Sequence, residues 1–181
     1  LNKVLIEYVP RFGDALVSAV RDAGEQMKRR AAERLSRFYP TGKDGALPIA
    51  YFWARTARCE GPSCGVLIPL LGRQQITKRR QPPVAVFLKQ ARDGSIETQV
   101  RDVRRGENVG PGTARGGTIT CPACGSTIGE KRYRELGRQG LLGERLYALV
   151  GRKAGSDERF YRGIEDADLA AFEAAQAAAN E

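Results

Sequence analysis

Residues 58–71, RCEGPSCGVLIPLL, hold Cys59 and Cys64 in a C-x4-C pair, followed by a glycine and a run of aliphatic residues. The chain's other two cysteines repeat the arrangement in TCPACGSTI (120–128), where Cys121 and Cys124 form a C-x2-C pair, again followed by glycine. A short spacing lets both thiolates of a pair turn toward one ion from a single tight turn. Gly65 and Gly125 permit the positive φ that aims backbone N–H groups at the sulfurs, and Pro62 and Pro122 stiffen the turns. Two such turns facing each other make a tetrahedral four-thiolate site, which suits Zn2+. Two disulfides, an iron centre or four unrelated buried cysteines are the alternatives, and the matched pairs with matched glycines favour zinc. Four protein thiolates leave no open coordination position, so the ion is structural and metal-activated hydrolysis is excluded as its chemistry.

Working outward, the four cysteines among 181 residues are too few for a secreted disulfide scaffold. Clustering at metal-ligand spacing favours a reducing, cytoplasmic setting. No apolar run approaches the roughly 18 residues a membrane span needs, so no membrane partner is expected. The net charge of +9 points to an anionic partner, with nucleic acid the first candidate and a solvated basic surface the plain alternative.

Residues 1–9 read as the end of a buried helix stopped by Pro10. An amphipathic helix follows from about Asp14 to Phe38, its stripe formed by Leu16, Val20, Ala23, Met27, Ala31, Leu35 and Phe38. TGKDGALP (41–48) is a linker. The remainder is mostly β: strands over 49–58 and 66–71, a hairpin of 84–90 with 95–103 around Arg92-Asp93-Gly94, and a second hairpin around KAGSDE. GENVGPGTARGG (106–117) reads as a flexible loop, GEKRYRELGRQG (129–140) as a short helix, and Asp166 or Asp168 as the cap of a final helix to about Ala179.

Gln81-Pro82-Pro83-Val84 resembles an amino-group methyltransferase motif but fails its chemistry. Gln81 has the wrong length to accept from the target amine, and Val84 offers no ring to stack on a flipped base. The glycines of 110–116 lack phosphate-loop spacing. The chain has no histidine and no serine in a nucleophile elbow, so no catalytic residue is assigned. Basic groups that flank the cysteines are candidate phosphate contacts: Arg55, Arg58, Lys78, Arg79, Arg80, Arg104, Arg105, Lys131 and Arg132, with Arg101 and Arg134 beside them. Trp53, next to Phe52 in an apolar run, reads as core.

AAERLSRFYP, IAYFWARTARC and the C-x4-C-G turn with its I-P-L-L tail resemble bacterial and archaeal adenine-specific DNA methylases that contain a zinc ribbon. GTITCPACGSTI, RELGRQGLLGERLYALV and FYRGI continue the resemblance in the same order, and LNKVLIEYVPRFG resembles the segment after that family's first cofactor motifs. The resemblance implies an internal piece of such an enzyme, between its S-adenosylmethionine motifs and its D-P-P-Y-type motif. It implies zinc ligands Cys59, Cys64, Cys121 and Cys124, and no cofactor-binding residue within the chain. The partners are then DNA and the remainder of the methyltransferase chain, and S-adenosylmethionine belongs to the parent enzyme.

The expected fold class is α+β, a fragment of a larger α/β methyltransferase: N-terminal helices, an antiparallel zinc-ribbon module and a C-terminal helix. The expected parts are a helical segment (1–40), a linker (41–48), the β module (49–164) and a closing helix (165–181). A stand-alone zinc-ribbon module that binds nucleic acid, or a zinc-stabilised protein-docking domain, is the alternative.

Overall fold

A computed structural model describes residues 2–42, 45–78 and 80–179. The fold is α+β, with an N-terminal helix, antiparallel sheets and a C-terminal helix. The chain divides into two units, one of Thr41–Leu169 and one of Leu1–Pro40 with Ala170–Glu181.

In the smaller unit a π-helical turn, Val4–Tyr8, runs straight into helix α1 (Val9–Leu35), which ends in a 3-10 turn at Ser36–Phe38. Pro10 therefore does not stop a helix. It lies inside one continuous helical run, directly after the π-helical turn in which the Val9 N–H donates to the Val4 carbonyl. The break falls instead at Gly13, whose φ of 47° only glycine adopts freely. The expected burial is also absent: no residue of the turn or of α1 is buried, and Leu5, Ile6, Val17, Val20, Met27 and Leu35 are exposed.

The larger unit is built on strand β1 (Leu47–Arg58). It pairs with β2 (Leu67–Leu70) on one side and β8 (Gly143–Arg152) on the other, and β9 (Arg159–Arg162) completes the sheet in the order β2-β1-β8-β9. β3 (Val84–Gln90) and β4 (Ile96–Asp102) form the hairpin predicted around Asp93-Gly94, with Gly94 at φ 84°. A three-stranded sheet follows: β5 (Ala114–Arg115), β6 (Thr118–Thr120) and β7 (Thr127–Ile128), then helix α2 (Glu130–Arg138). Helix α3 (Asp166–Ala179) closes the chain.

Two small cores share β1. Ala57 packs with Cys59, Ile68, Ile119, Cys121, Ile128 and Leu136, whereas Ala54 packs with Leu71 and Val86 of the hairpin. A register shift between Phe52 and Trp53 fixes which side chains face inward. Phe52 meets the Tyr147 ring at 6.0 Å, and Trp53, opposite Leu146, stays 40% exposed rather than joining a core.

The segment 106–117 is not a free loop. The buried Thr113 hydroxyl donates to the Pro69 carbonyl and accepts from the Leu71 N–H at 2.9 Å, and Ala114 N–H donates to the Leu71 carbonyl at 3.0 Å. Any side chain at Gly112 would overlap the backbone of Leu71 and Gly72. The excursion between β2 and β5 thus leaves and returns through one closed neck.

At the start of α3, Asp168 is 1% exposed. It accepts the Arg162 guanidinium at 2.5 and 3.0 Å, the Glu165 N–H at 2.9 Å and the Tyr51 hydroxyl at 3.3 Å. Neither Asp166 nor Asp168 is the N-cap expected: both lie in the first turn of α3, and Asp168 reaches back to the Glu165 amide as half of a capping box. Burial pushes the Asp168 carboxyl up, and Arg162, the Glu165 amide and Tyr51 together outweigh it, holding the group below the usual carboxylate range. The pair therefore stabilises fully above the ordinary carboxylate value and is lost as pH falls through the depressed one. Asp168→Asn should cost about 2–3 kcal/mol in chemical denaturation at pH 7, with the difference from wild type shrinking in acid. Equal stability of the two at pH 7 would contradict this role.

Candidate metal centre

The two cysteine pairs are the turns of two hairpins: Cys59–Val66 joins β1 to β2, and Cys121–Ser126 joins β6 to β7. The same bond closes each turn, with Cys59 N–H donating to the Val66 carbonyl and Cys121 N–H to the Ser126 carbonyl, both at 2.8 Å. Gly65 (φ 65°) and Gly125 (φ 75°) take the positive φ expected of them. The amides that follow these glycines then reach the sulfurs, Val66 N–H to Cys64 and Ser126 N–H to Cys124, while Gly61 N–H reaches Cys59 at 3.4 Å.

The turns face each other. Cys59 Sγ lies 3.6 Å from Cys124 Sγ, Cys64 Sγ lies 3.9 Å from Cys121 Sγ, and all four sulfurs fall within 4.8 Å of one another. A tetrahedron with metal–sulfur bonds of about 2.3 Å has sulfur–sulfur edges of about 3.8 Å. None of the four is in a disulfide, and the sulfur separations are far beyond the roughly 2.05 Å of one. The cluster therefore has the donor set, the size and the amide support to hold one metal ion. Gly61 sits where the hairpins touch, and a methyl group there would run into Ser126 and the Cys124 sulfur.

The electrostatics is uneven. Burial, opposed by the Gly61 amide, pushes the Cys59 thiol up to about 12. The Ser126 hydroxyl and amide pull exposed Cys124 down to about 6. Cys64 is drawn down by the Val66 amide and pushed up more strongly by burial and its sulfur neighbours, for a net rise. Four thiolates this close need a cation between them to ionise together.

The candidate phosphate contacts separate into pinned and free groups. Arg132 donates to Glu60 at 2.7 and 2.9 Å and to Glu135 at 3.4 Å, which staples α2 to the first cysteine turn. Arg58 donates to the Gly65 carbonyl at 2.8 Å. Arg80 pairs with Asp102, and Arg55 stands opposite Glu144 in the sheet. Lys78, Arg104, Arg105 and Lys131 are exposed, with no ion pair among the described residues. Arg79 lies outside the described residues.

Sequence reading missed Arg101 as a fixed part. Its guanidinium lies 3.7 Å from the Phe87 ring centroid and forks onto Glu107 at 2.6 and 2.8 Å. Arg101 and the Arg104 amide push the Glu107 carboxyl down to about 2. A glutamate two residues beyond an arginine pair was the only signal in the sequence.

No family model, curated protein or solved structure matches the chain.

Three outcomes follow from this geometry. Metal analysis of reduced protein should find one ion per chain, and Cys59→Ser or Cys121→Ser should abolish it together with the cooperative melt of the larger unit. Gly61→Ala should keep all four ligands yet bind the ion roughly 10- to 100-fold more weakly in chelator competition, since overpacking costs about 1–3 kcal/mol. Glu107→Gln and wild type should differ in stability above about pH 4.5 and converge as pH falls toward 2, since the pair's contribution exists only while Glu107 is charged.

Proposed function

We propose that the chain is the zinc-binding, DNA-contacting part of an S-adenosylmethionine-dependent adenine DNA methylase, with Cys59, Cys64, Cys121 and Cys124 holding a structural Zn2+. The closed four-sulfur cluster carries this reading. It joins two turns 56 residues apart in sequence. It also lies in the unit that holds nearly all of the net charge. Thr41–Leu169 contains 22 Lys and Arg against 14 Asp and Glu, which is +8 of the chain's +9.

Zn2+ fits four thiolates at these separations because it has no geometric demand beyond the tetrahedron and no redox chemistry of its own. Its role is to fix the two hairpins against each other, a contribution on the order of 10 kcal/mol. The methylase assignment rests on the motifs around the cysteines, WAR before them and IPLL after them, and on the later GTITCPACG and LLGERLYALV. The exposed apolar residues of α1 support it too, since such a face suits cover by the remainder of a methyltransferase domain. That remainder would bring the cofactor and the catalytic motif, while the basic unit holds the duplex during base flipping.

The test is a titration of the metal-loaded chain with duplex DNA at several salt concentrations. Binding should weaken linearly on a log–log plot, with a slope that counts several phosphate contacts. The chain alone should transfer no methyl group from S-adenosylmethionine. Absence of DNA binding at low salt would defeat the nucleic-acid role and leave the protein-docking alternative.

A further inference from the structure

The nucleic-acid reading leaves open which of the basic groups meets phosphate, and the fold answers from topology. The excursion Arg73–Arg105 holds nine Lys and Arg against three Asp and Glu, so most of the unit's excess charge lies on the β3–β4 arm. Two of its basic runs, Lys78 to Arg80 and Arg104–Arg105, are more than 20 residues apart in sequence. The first precedes β3 and the second follows β4, so antiparallel pairing brings both to one end of the hairpin, where Val84 stands opposite Asp102.

That end is braced. The Val84 N–H donates to the buried Thr77 hydroxyl at 2.8 Å, and Val103 N–H donates to the Pro83 carbonyl at 2.8 Å. Arg80 pairs with Asp102, and Arg101 is clamped between Phe87 and Glu107. Glu107 also accepts the Arg104 N–H at 2.9 Å and donates its own N–H to the Arg104 carbonyl at 3.0 Å. The two arginines with carboxylate partners thus hold the loops in place. Lys78, Arg104 and Arg105 remain exposed and without an ion pair among the described residues.

We propose that the paired loops at this end of the hairpin, through Lys78, Arg104 and Arg105, are the surface that grips the phosphate backbone of DNA. This rests on the nucleic-acid reading above and narrows it to one place. Of the other candidates, Arg132, Arg58 and Arg80 are spent on Glu60, the Gly65 carbonyl and Asp102, while Lys131 on α2 and Arg55 on β1 belong to neither of the paired loops. Arginines on loops whose backbones are fixed lose little entropy on meeting a phosphate, and the guanidinium fork matches its oxygens. A lipid surface fits poorly, because none of the exposed large apolar side chains lies between residues 73 and 110, so nothing beside the cluster can insert into a bilayer. Contacts of this kind position a duplex without reading its sequence.

The full chain, loaded with metal, is titrated against a labelled duplex of about 20 base pairs. Three proteins are compared: wild type, Lys78→Ala/Arg104→Ala/Arg105→Ala, and a charge-matched control, Lys89→Ala/Arg92→Ala/Arg115→Ala. Lys89 and Arg92 lie toward the far end of the same hairpin, about 20 Å along it from Val84. The proposal expects the first variant to bind at least tenfold more weakly at about 0.1 M salt, with the salt slope reduced by roughly two to three units, on unrelated duplex sequences alike. The control should stay within about threefold of wild type. All the replaced side chains are exposed, and thermal melts matching wild type establish that both variants fold. Equal weakening of both variants would overturn the proposal in favour of diffuse charge, and an unchanged first variant would place the contact elsewhere. Wild type that ignores DNA but binds phosphatidylserine vesicles would overturn both this assignment and the nucleic-acid reading.

Discussion

One of the two cores of the larger unit is built around four sulfurs meeting in one place. Cys59 and Cys121 are 4% and 1% exposed, and they belong to the same cluster of side chains as Ile68, Ile119 and Ile128. The sulfur cluster is therefore part of that core and not an appendage to it. A cluster of seven buried residues excludes too little water to hold two hairpins and a nine-residue helix together unaided. An ion held by the four sulfurs would supply the directional bonds that apolar packing lacks, and the Arg132–Glu60 staple and the three amides aimed at the sulfurs would orient its ligands.

From that centre the rest follows by connectivity. β1 leads into the first turn and also forms the middle of the four-stranded sheet, so fixing Cys59 fixes the register of β2 and β8 on either side of it. The second turn lies more than 40 residues past β2, and the chain can cross that interval without disturbing the centre only if the interval closes on itself. Thr113 and Gly112 close it, the one through two hydrogen bonds to the end of β2 and the other by having no side chain where two backbones touch. The β3–β4 arm is thereby closed off from the cysteine turns, while Val86 packs it against Ala54 of β1 and Arg145 of β8 donates to its Ile96 carbonyl.

What the sequence reveals is what is local. Spacing and glycine showed both cysteine turns, the Asp-Gly signal showed the β3–β4 hairpin, and the short helix with a glycine before it showed α2, because each is decided within about ten residues. Contacts between distant residues are not written in any such window. Tyr51 meets Asp168 across 117 positions and Arg132 meets Glu60 across 72, and each side chain alone looks like an ordinary surface group. Trp53 was misjudged for a related reason: the bulge beside it switches which face it occupies, and bulges leave no mark in a strand of apolar residues. Pro10 does not end the helix because a π-helical turn precedes it, and no short window of sequence shows that turn.

The separation of metal from charge explains how so small a unit tolerates its own composition. Nine cationic side chains within the 33 residues of the arm repel one another in the folded state more than in an extended chain. At surface dielectric and physiological salt, charges about a Debye length of 8 Å apart interact by only tenths of a kcal/mol each, so the total strain of the arm is a few kcal/mol. A metal-loaded centre, contributing on the order of 10 kcal/mol, would bear this with a wide margin. Four thiolates around a divalent cation would also carry a net charge of −2, which would draw the basic surroundings inward. An ion held at the centre would thus offset the cost of a surface of unbalanced positive charge.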